Sequence, residues 1–463
     1  MKTTLAADET ASPDVHLATS PDLHLGWTMP SDKDPVYLRA KGLTAHVAVV
    51  AQSGSGKSFM LGRMLEEIAG KTRARFLILD PNSDFVKFGV VDENAWTKPK
   101  GKFMKGDTCE SFRNRWRNIG FHVLTQRSGD SLRDVSHHSA ISLSWSEIAR
   151  DMKHGYLGIS AVTNPDEYAA FQIAEGEIQQ HSEKIKEHPE ALKRLEEAVR
   201  AMWHAELYDR ALTRIEEWPG VAFQRRTEII TASAALDLYG RIQHLIEMAF
   251  WDKDGKKSVQ QYSADLAEPA HLERVVCLDI GSLTTPNRVF IAAGAALDAL
   301  WVKAREEWNK ALGENPSDDP RCPIFIVIDE AHNLTPAAPS SEAAKLVSEA
   351  LIRIAMEGRK FGLFLILVTQ RPSRLNENLL SQCDSLCLMK MSNPADIELV
   401  EKRFGFVPQD IAKEALGFKK GEMLLAGSFV DSPVLARVAP RRTIEGGRSL
   451  RDEVWLSEPT RTP

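Results

Sequence analysis

No apolar run in this chain exceeds about eight residues; the longest, FGLFLILV, covers 361–368. A helix across a bilayer needs roughly 20, so no membrane-spanning segment is expected. The first 15 residues, MKTTLAADETASPDV, hold no apolar stretch of the kind a secretory leader carries. Cysteine is scarce: Cys109, Cys277, Cys322, Cys383 and Cys387 are scattered and odd in number. That pattern fits reduced thiols in a cytoplasm and argues against a disulfide framework. Cys383 and Cys387 have no further Cys or His close by in the sequence, which argues against a metal site. A basic excess is also missing. Lys and Arg number 58 against 64 Asp and Glu, for a net charge of −6. This speaks against a monomer that coats nucleic acid with one basic face. It leaves room for a ring in which a few cations per subunit converge on one channel. What remains is an ordinary globular composition, 43% hydrophobic and 26% charged, over 463 residues. That length holds two or three domains, or one large domain with insertions.

Residues 1–35 are rich in Pro, Asp, Ser and Thr and lack periodicity, so a loosely structured arm is expected to about residue 40. HVAVV (46–50) predicts a short buried strand, FMLGRMLEEIAG (59–70) an amphipathic helix, and RARFLILDP (73–81) the next strand. Strand, Gly-rich loop, helix and strand form a βαβ unit with a right-handed parallel crossover. The chain turns polar and basic from about 92 to 130, where KPKGKFMKGD (98–107) is expected to be a solvated loop. From about 165 to 250 helical spacing dominates, as in Leu192, Leu195, Val199, Met202 and Leu207. Pro189 and Pro219 interrupt it and the heptads do not persist, so an inserted helical subdomain is expected over 96–269, not a coiled coil. Strand signals return at 274–280, 324–331, 361–370, 385–391 and 422–429, with helices over 286–311 and 340–357 and a turn-rich connector at 313–320. Runs apolar on both faces, alternating with helices, predict an α/β fold with a mostly parallel sheet covered on both sides. The core is expected over 41–95 and 270–445, with 446–463 as a tail.

The chemistry starts at AQSGSGKS (51–58), a phosphate-binding loop in the required context of strand and helix. Gly54 and Gly56 let backbone N–H groups approach phosphate with no Cβ in the way. The helix that begins near Lys57 points its positive end at the same place. Lys57 is expected on the β- and γ-phosphates and Ser58 on Mg²⁺, with Ser53, Ser55 and Phe59 completing the nucleotide-binding stretch. Ala51 stands where the usual pattern has Gly, and its methyl need not disturb the phosphate contacts. Asp329 ends the apolar strand IFIVID, which suits a Mg²⁺-directed carboxylate, and Glu330 beside it suits a base that activates water. Their alternative is an acidic pair that caps a helix. His332 either orients this site or is a plain loop residue. Gln370 ends a buried strand and is placed to sense the γ-phosphate or position water; a bland strand-end amide is the alternative. Arg359 follows a helix end, where it satisfies the helix dipole or acts on a neighbouring subunit's site. Asp80 and Asp84 in ILDPNSDF serve either water and metal or a turn. The basic stretches KPKGK (98–102) and QRRTE (224–228) are candidates for lining a pore or are solvated loops.

Taken in order, AQSGSGKSFMLGRMLEEI, LDPNSDF, IFIVIDEAHNL, EGRKFGLFLILVTQRPSRL and GEMLLAGSF…VAPRR resemble the HerA-type ATPases of the HerA/FtsK superfamily. The resemblance covers about 40–95 and 270–445. It implies a RecA-like fold, a homo-hexameric ring with ATP sites between subunits, and movement along double-stranded DNA through the pore. A nuclease is the usual partner, and members in bacterial defence operons are paired with other effectors, including sirtuin-like NAD-degrading proteins. Carried onto this chain, Lys57 and Ser58 match the Walker A pair, Asp329 and Glu330 the Walker B pair, Gln370 the sensor glutamine and Arg359 the arginine acting in trans. Lys57 and Asp329 are 329 − 57 = 272 residues apart, like the family's habit of inserting a helical bundle in the core. The family commonly begins with a small β-barrel that aids assembly. Only about 45 residues precede the first core strand here, room for a strand or two of it. Assembly of an effector without DNA translocation is therefore the alternative function. A conjugation or packaging ATPase ranks below both, because no membrane segment is expected. A kinase or GTPase ranks last: Glu330 favours hydrolysis, and no NKxD motif appears.

Overall fold

The computed structural model describes residues 22–97, 101–132, 134–180, 232–247, 251, 256–313 and 319–446. One sheet of twelve strands organises it, in the order β2-β1-β12-β11-β10-β3-β9-β8-β4-β7-β5-β6. The centre comprises β3 (His46–Val50), β4 (Arg75–Leu79), β7 (Glu273–Leu278), β8 (Ile324–Ile328), β9 (Leu363–Thr369) and β10 (Cys383–Met389). These six pair in parallel. Every residue of β3, β4, β8 and β9 is buried, as expected of strands covered on both faces. Alternate side chains divide between two cores. Val47, Val49, Phe76, Ile78, Phe325 and Val327 face the helix Lys57–Lys71. Ala48, Val50, Leu77, Leu79, Ile326 and Ile328 face the helices Pro286–Ala311 and Glu342–Glu357.

The helix boundaries follow local chemistry. Thr285 caps the long helix through its side chain and Pro286 occupies its first turn. Ser258 and Gln261 form a capping box on Val259–Asp265, which packs against that helix. Ser341 caps Glu342–Glu357. Among the described residues no helix is long and apolar enough to cross a membrane, and the five cysteines are free.

Two expectations need correction. The arm was expected to be loose, but its described part forms β1 (Asp22–Thr28) and β2 (Pro35–Arg39) at one edge of the sheet. β1 pairs antiparallel with β12 (Val434–Val438), which follows β11 (Glu422–Gly427). The signal is weak in sequence because β1 is interrupted by Gly26. That glycine is required: a Cβ there would lie 2.2 Å from the Arg437 carbonyl oxygen. The insertion, expected to be largely helical over 96–269, also contains β5 (Gly120–Leu124) and β6 (His138–Ser139), which extend the main sheet beyond β7. GFHVL is a five-residue run among charged neighbours, too short to register against its surroundings. The described insertion also holds the helices Cys109–Trp116, Arg150–Tyr156, Pro165–Gln180, Ala232–Glu247 and Val259–Asp265. Leu192 to Leu207, the stretch 224–228 and most of the tail lie outside the described residues.

Candidate nucleotide site

The carboxyl ends of β3, β4, β8 and β9 bring distant residues together. The phosphate loop is pinned at its start: Ala51 N–H donates to the Thr369 carbonyl (3.1 Å) and Gln52 N–H to the Lys390 carbonyl (2.9 Å). Ala51 is fully buried among the side chains on the Lys57 helix face, so its methyl belongs to the core. Gly54 (φ 76°) and Gly56 (φ 93°) adopt the left-handed conformation that a side chain would strain. Next to Gly54 an added Cβ would meet nothing within 4 Å, which leaves the loop open to a ligand. The Ser55 hydroxyl is buried with no protein partner, and the Ser55 carbonyl accepts the Gly421 N–H (2.9 Å). Ser53 is exposed, and Phe59 is partly buried against the adjacent core.

Lys57 Nζ lies 2.6 Å from Asp329 Oδ1 and also binds Glu330 Oε1. All three groups are buried. Burial works to lower the Lys57 pKa, but attraction from Asp329 and Glu330 and hydrogen bonds to both outweigh it, and the net shift is upward from 10.5. Glu330 is left-handed (φ 48°, ψ 48°) and its N–H donates to its neighbour's Asp329 Oδ1 (3.0 Å). Such a conformation costs a non-glycine residue about 1–3 kcal/mol and concentrates at functional sites. It folds the carboxylate back toward Lys57 and Gln370, whose Nε2 donates to Glu330 Oε1. Glu330 Oε2 is buried without a hydrogen-bond partner, an acceptor left for an incoming donor such as water. His332 Nδ1 lies 3.0 Å from Thr369 Oγ1 and 3.5 Å from Glu330 Oε2. Burial lowers its pKa against the pull of Glu330, so a neutral imidazole flanks the carboxylate.

The loop after β4 completes the floor. Asp80 accepts backbone N–H groups from Asn82 (3.2 Å), Asp84 (3.1 Å) and Phe85 (2.8 Å). Its carboxyl is a turn former. Burial, opposed by the Phe85 N–H and reinforced by Asp329, Asp279 and Asp84, pushes its pKa up to about 8. Asp84 instead faces the site and accepts the Ser58 hydroxyl. Asn82 Nδ2 donates to Asp329 Oδ2 (3.2 Å). The reading of the sequence passed over Asn82, although its place in LDPNSDF beside two candidate carboxylates was a usable signal. It also passed over Asp279, which accepts Ser83 Oγ (2.7 Å), Thr125 Oγ1 (2.6 Å) and Arg127 Nε (3.0 Å).

Arg359 is not brought to this group within one chain. It lies in the turn before β9, at the opposite edge of the sheet, and donates to Asp384 Oδ2 (2.6 Å) and the Gln382 carbonyl (3.0 Å). Among the described residues no group of three or more His, Cys, Asp or Glu forms a metal cage. The Ser58 hydroxyl and Asp329 carboxylate, both oxygen donors, fit Mg²⁺, which takes few protein ligands and keeps waters and phosphate oxygens.

Residues 23–123, from β1 through most of β5, match the family described as "Helicase HerA, central domain". Residues 273–391 match the "ATPase family associated with various cellular activities". The "DNA double-strand break repair helicase HerA" of Pyrococcus furiosus is 34% identical over 146 residues, 31% of this chain and 26% of that protein. Its namesake from Sulfolobus acidocaldarius is 23% identical over 472 residues, 98% of this chain and 78% of that protein. The matches to the relatives from Pyrococcus furiosus, Methanocaldococcus jannaschii and Sulfurisphaera tokodaii span only about a quarter of those proteins. Among solved structures, the plasmid coupling protein TrwB in complex with ADP and Mg²⁺ superimposes with a TM-score of 0.52 at 14% identity, over 89% of each chain. VirB4 of Thermoanaerobacter pseudethanolicus gives 0.51 at 14%, over 89% of this chain and 96% of that one. Those two likenesses bear on the fold, a RecA-like α/β core. The sequence matches and the phosphate loop make this chain similar to the HerA-type ATPases over residues 23–123 and to an ATPase core over 273–391.

Proposed function

We propose that the chain hydrolyses ATP at the interfaces of a homo-hexameric ring and works as a motor on double-stranded DNA with a partner effector. The observation that carries this reading is the buried group Lys57–Asp329–Glu330, with half-buried Gln370 bound to it, against an open phosphate loop. Backbone N–H groups of the loop and the Lys57 ammonium bind phosphate oxygens. Ser58 and Asp329 would hold Mg²⁺, which when bound neutralises charge on those oxygens. Glu330 accepts the proton of a water whose oxygen attacks the γ-phosphorus as the bond to the bridging oxygen breaks, leaving ADP and phosphate. Gln370 holds the Glu330 carboxylate in place, and His332 supports it from the other side. Arg359 serves the neighbouring subunit. The DNA role is supported by the printed names of the HerA relatives. A nearby-encoded nuclease or sirtuin-like NADase as effector, an antiviral defence role and a cytoplasmic setting are supported by the family resemblance.

The test is Glu330→Gln. It should bind a fluorescent ATP analogue as the wild type does and lose turnover by about 100-fold or more, the range that one positioned base contributes. Undiminished turnover would remove the assignment. A second reading, a ring that binds ATP and organises an effector with DNA irrelevant, is favoured by the net charge of −6. ATPase rates with and without duplex DNA, alone and with the neighbouring gene product, separate the two.

A further inference from the structure

The residues described beyond β12 stay on the fold. Residues 440–446 run alongside 84–92: Asp92 N–H donates to the Arg442 carbonyl (2.8 Å), Ile444 N–H to the Val90 carbonyl (2.9 Å) and Gly446 N–H to the Asp84 carbonyl (3.0 Å). This strap passes under the start of the phosphate-loop helix. Arg441 is 2% exposed. Its guanidinium lies 5.4 Å from the centre of the Phe85 ring and 5.7 Å from that of Phe88. Nη1 donates to the Ser58 carbonyl (3.1 Å), Nε to Thr443 Oγ1 (3.1 Å) and Nη2 to the Ile444 carbonyl (3.0 Å).

A buried cation is costly unless it is well paired, and these hydrogen bonds end on carbonyl and hydroxyl oxygens. The helix makes room for it. A Cβ at Gly62 would lie 2.4 Å from Arg441 Nε and 2.6 Å from Cζ. Glycine inside a helix costs about 1 kcal/mol relative to alanine, so the space is kept at the helix's expense. At the far end of the strap a Cβ on Gly446 would lie 2.3 Å from the Ser83 carbonyl oxygen. The strap therefore grips two residues at the Ser58 side of the candidate Mg²⁺ position by their backbone carbonyls: Ser58 through Arg441, and Asp84 through Gly446 N–H. The Ser58 hydroxyl itself donates to Asp84.

We propose that the 440–446 strap sets the metal end of the nucleotide site, with Arg441 as a positioning residue that fixes Ser58 from beneath the phosphate loop. The proposal rests on the reading of Ser58 as a Mg²⁺ ligand. Through it, the C-terminal segment is tied mechanically to the site.

The experiment compares wild type, Arg441→Met, Arg441→Lys, Gly62→Ala and, as a control, Arg442→Met. Each is assayed for binding of a fluorescent ATP analogue with Mg²⁺ and with EDTA, for ATP turnover against Mg²⁺ concentration, and for thermal melting. Arg441→Met should weaken Mg²⁺-dependent nucleotide binding about tenfold, the scale of one charge-assisted hydrogen bond, and change metal-free binding less than about twofold. Arg441→Lys keeps the charge but not the fork and should fall between. Gly62→Ala should reproduce the selective loss with Arg441 in place. Arg442 instead binds Glu67 and Asp107, so its loss should lower melting and leave the metal dependence alone. Equal weakening with and without Mg²⁺, no weakening, or the same selective loss in Arg442→Met overturns the proposal. If Arg441→Met does not fold, Arg441→Lys and Gly62→Ala decide. A wild type that neither binds nor hydrolyses ATP removes the reading of the site instead, which is a separate outcome.

Discussion

Lys57 is the one cation between two buried carboxylates, Asp329 and Glu330. Lys57→Met would leave that pair side by side and uncompensated, at a cost of about 3–5 kcal/mol in unfolding free energy. The sign with pH follows. In the wild type the Lys57 pKa is raised above 10.5, so its contribution is complete below that value and is lost only as pH climbs past it. Adding Glu330→Gln should recover most of the loss at pH 8, because it leaves one buried carboxylate instead of two. Denaturation midpoints of the single and double variants check this, and an unrecovered deficit would contradict it. At this scale the sequence was informative wherever a residue ends a buried strand. Asp329, Glu330 and Gln370 converge because β8 and β9 are parallel neighbours in register. Asp80 was ambiguous in sequence, since a turn carboxylate and a metal carboxylate share one spelling. Its three backbone donors resolve it as a turn former. Arg441 stood out only as part of VAPRR, and its role was illegible, because its partner is the backbone carbonyl of Ser58, 383 residues away.

Elements buried on both faces announce themselves as apolar runs, which is why β3, β4, β8 and β9 were legible. The antiparallel end of the sheet was not, because β1, β2 and β12 depend on one another and on the Lys57 helix for burial. Gly26→Val would drive side-chain atoms into the Arg437 carbonyl and break the pairing of β1 with β12. We expect a loss of at least about 1–3 kcal/mol and new protease cleavage between residues 22 and 39, read by mass spectrometry. An unchanged cleavage pattern would mean that β1 is held by other contacts. The same face carries a buried charge network. Glu66 accepts Arg442 N–H (2.8 Å), Thr443 N–H (2.7 Å) and Thr443 Oγ1 (2.8 Å). Burial, countered by Arg63 and Arg441, pushes its pKa from 4.5 up to about 7. A carboxyl whose folded pKa is raised contributes stability fully below 4.5 and loses it as pH rises through about 7. Wild-type melting should therefore decline between about pH 4.5 and 7. Asp80, raised to about 8, adds to that decline in both proteins, so the difference between wild type and Glu66→Gln isolates Glu66. The variant should show the shallower slope; equal slopes would place the Glu66 pKa elsewhere.

For the whole molecule, the decisive residue is Arg359, because the geometry of one chain gives it no access to its own phosphate loop. The loop follows β3 and Gln370 follows β9, at the carboxyl edge, whereas Arg359 precedes β9 at the amino edge. Its bridge to Asp384 joins side chains 42% and 49% exposed, a class of ion pair worth little to stability. Two roles remain: a dispensable surface contact, or a charge presented to the next subunit. Mixed assemblies separate them. Lys57→Ala subunits keep Arg359 but cannot grip phosphate; Arg359→Ala subunits keep an intact site but offer no arginine. In the proposed ring, each alone should be inactive in ATP hydrolysis while retaining the native mass of the wild type. Mixed in equal amounts, roughly half of the interfaces around a randomly assembled ring pair unlike subunits, and half of those set an intact site against a present Arg359. About a quarter of wild-type turnover should return, since an arginine supplied in trans contributes at the level of the transition state. Full activity in Arg359→Ala alone would make the residue a surface contact. Inactivity that mixing does not relieve, in rings of unchanged mass, would mean that Arg359 acts within its own subunit. Inactivity accompanied by loss of the ring would assign it to assembly.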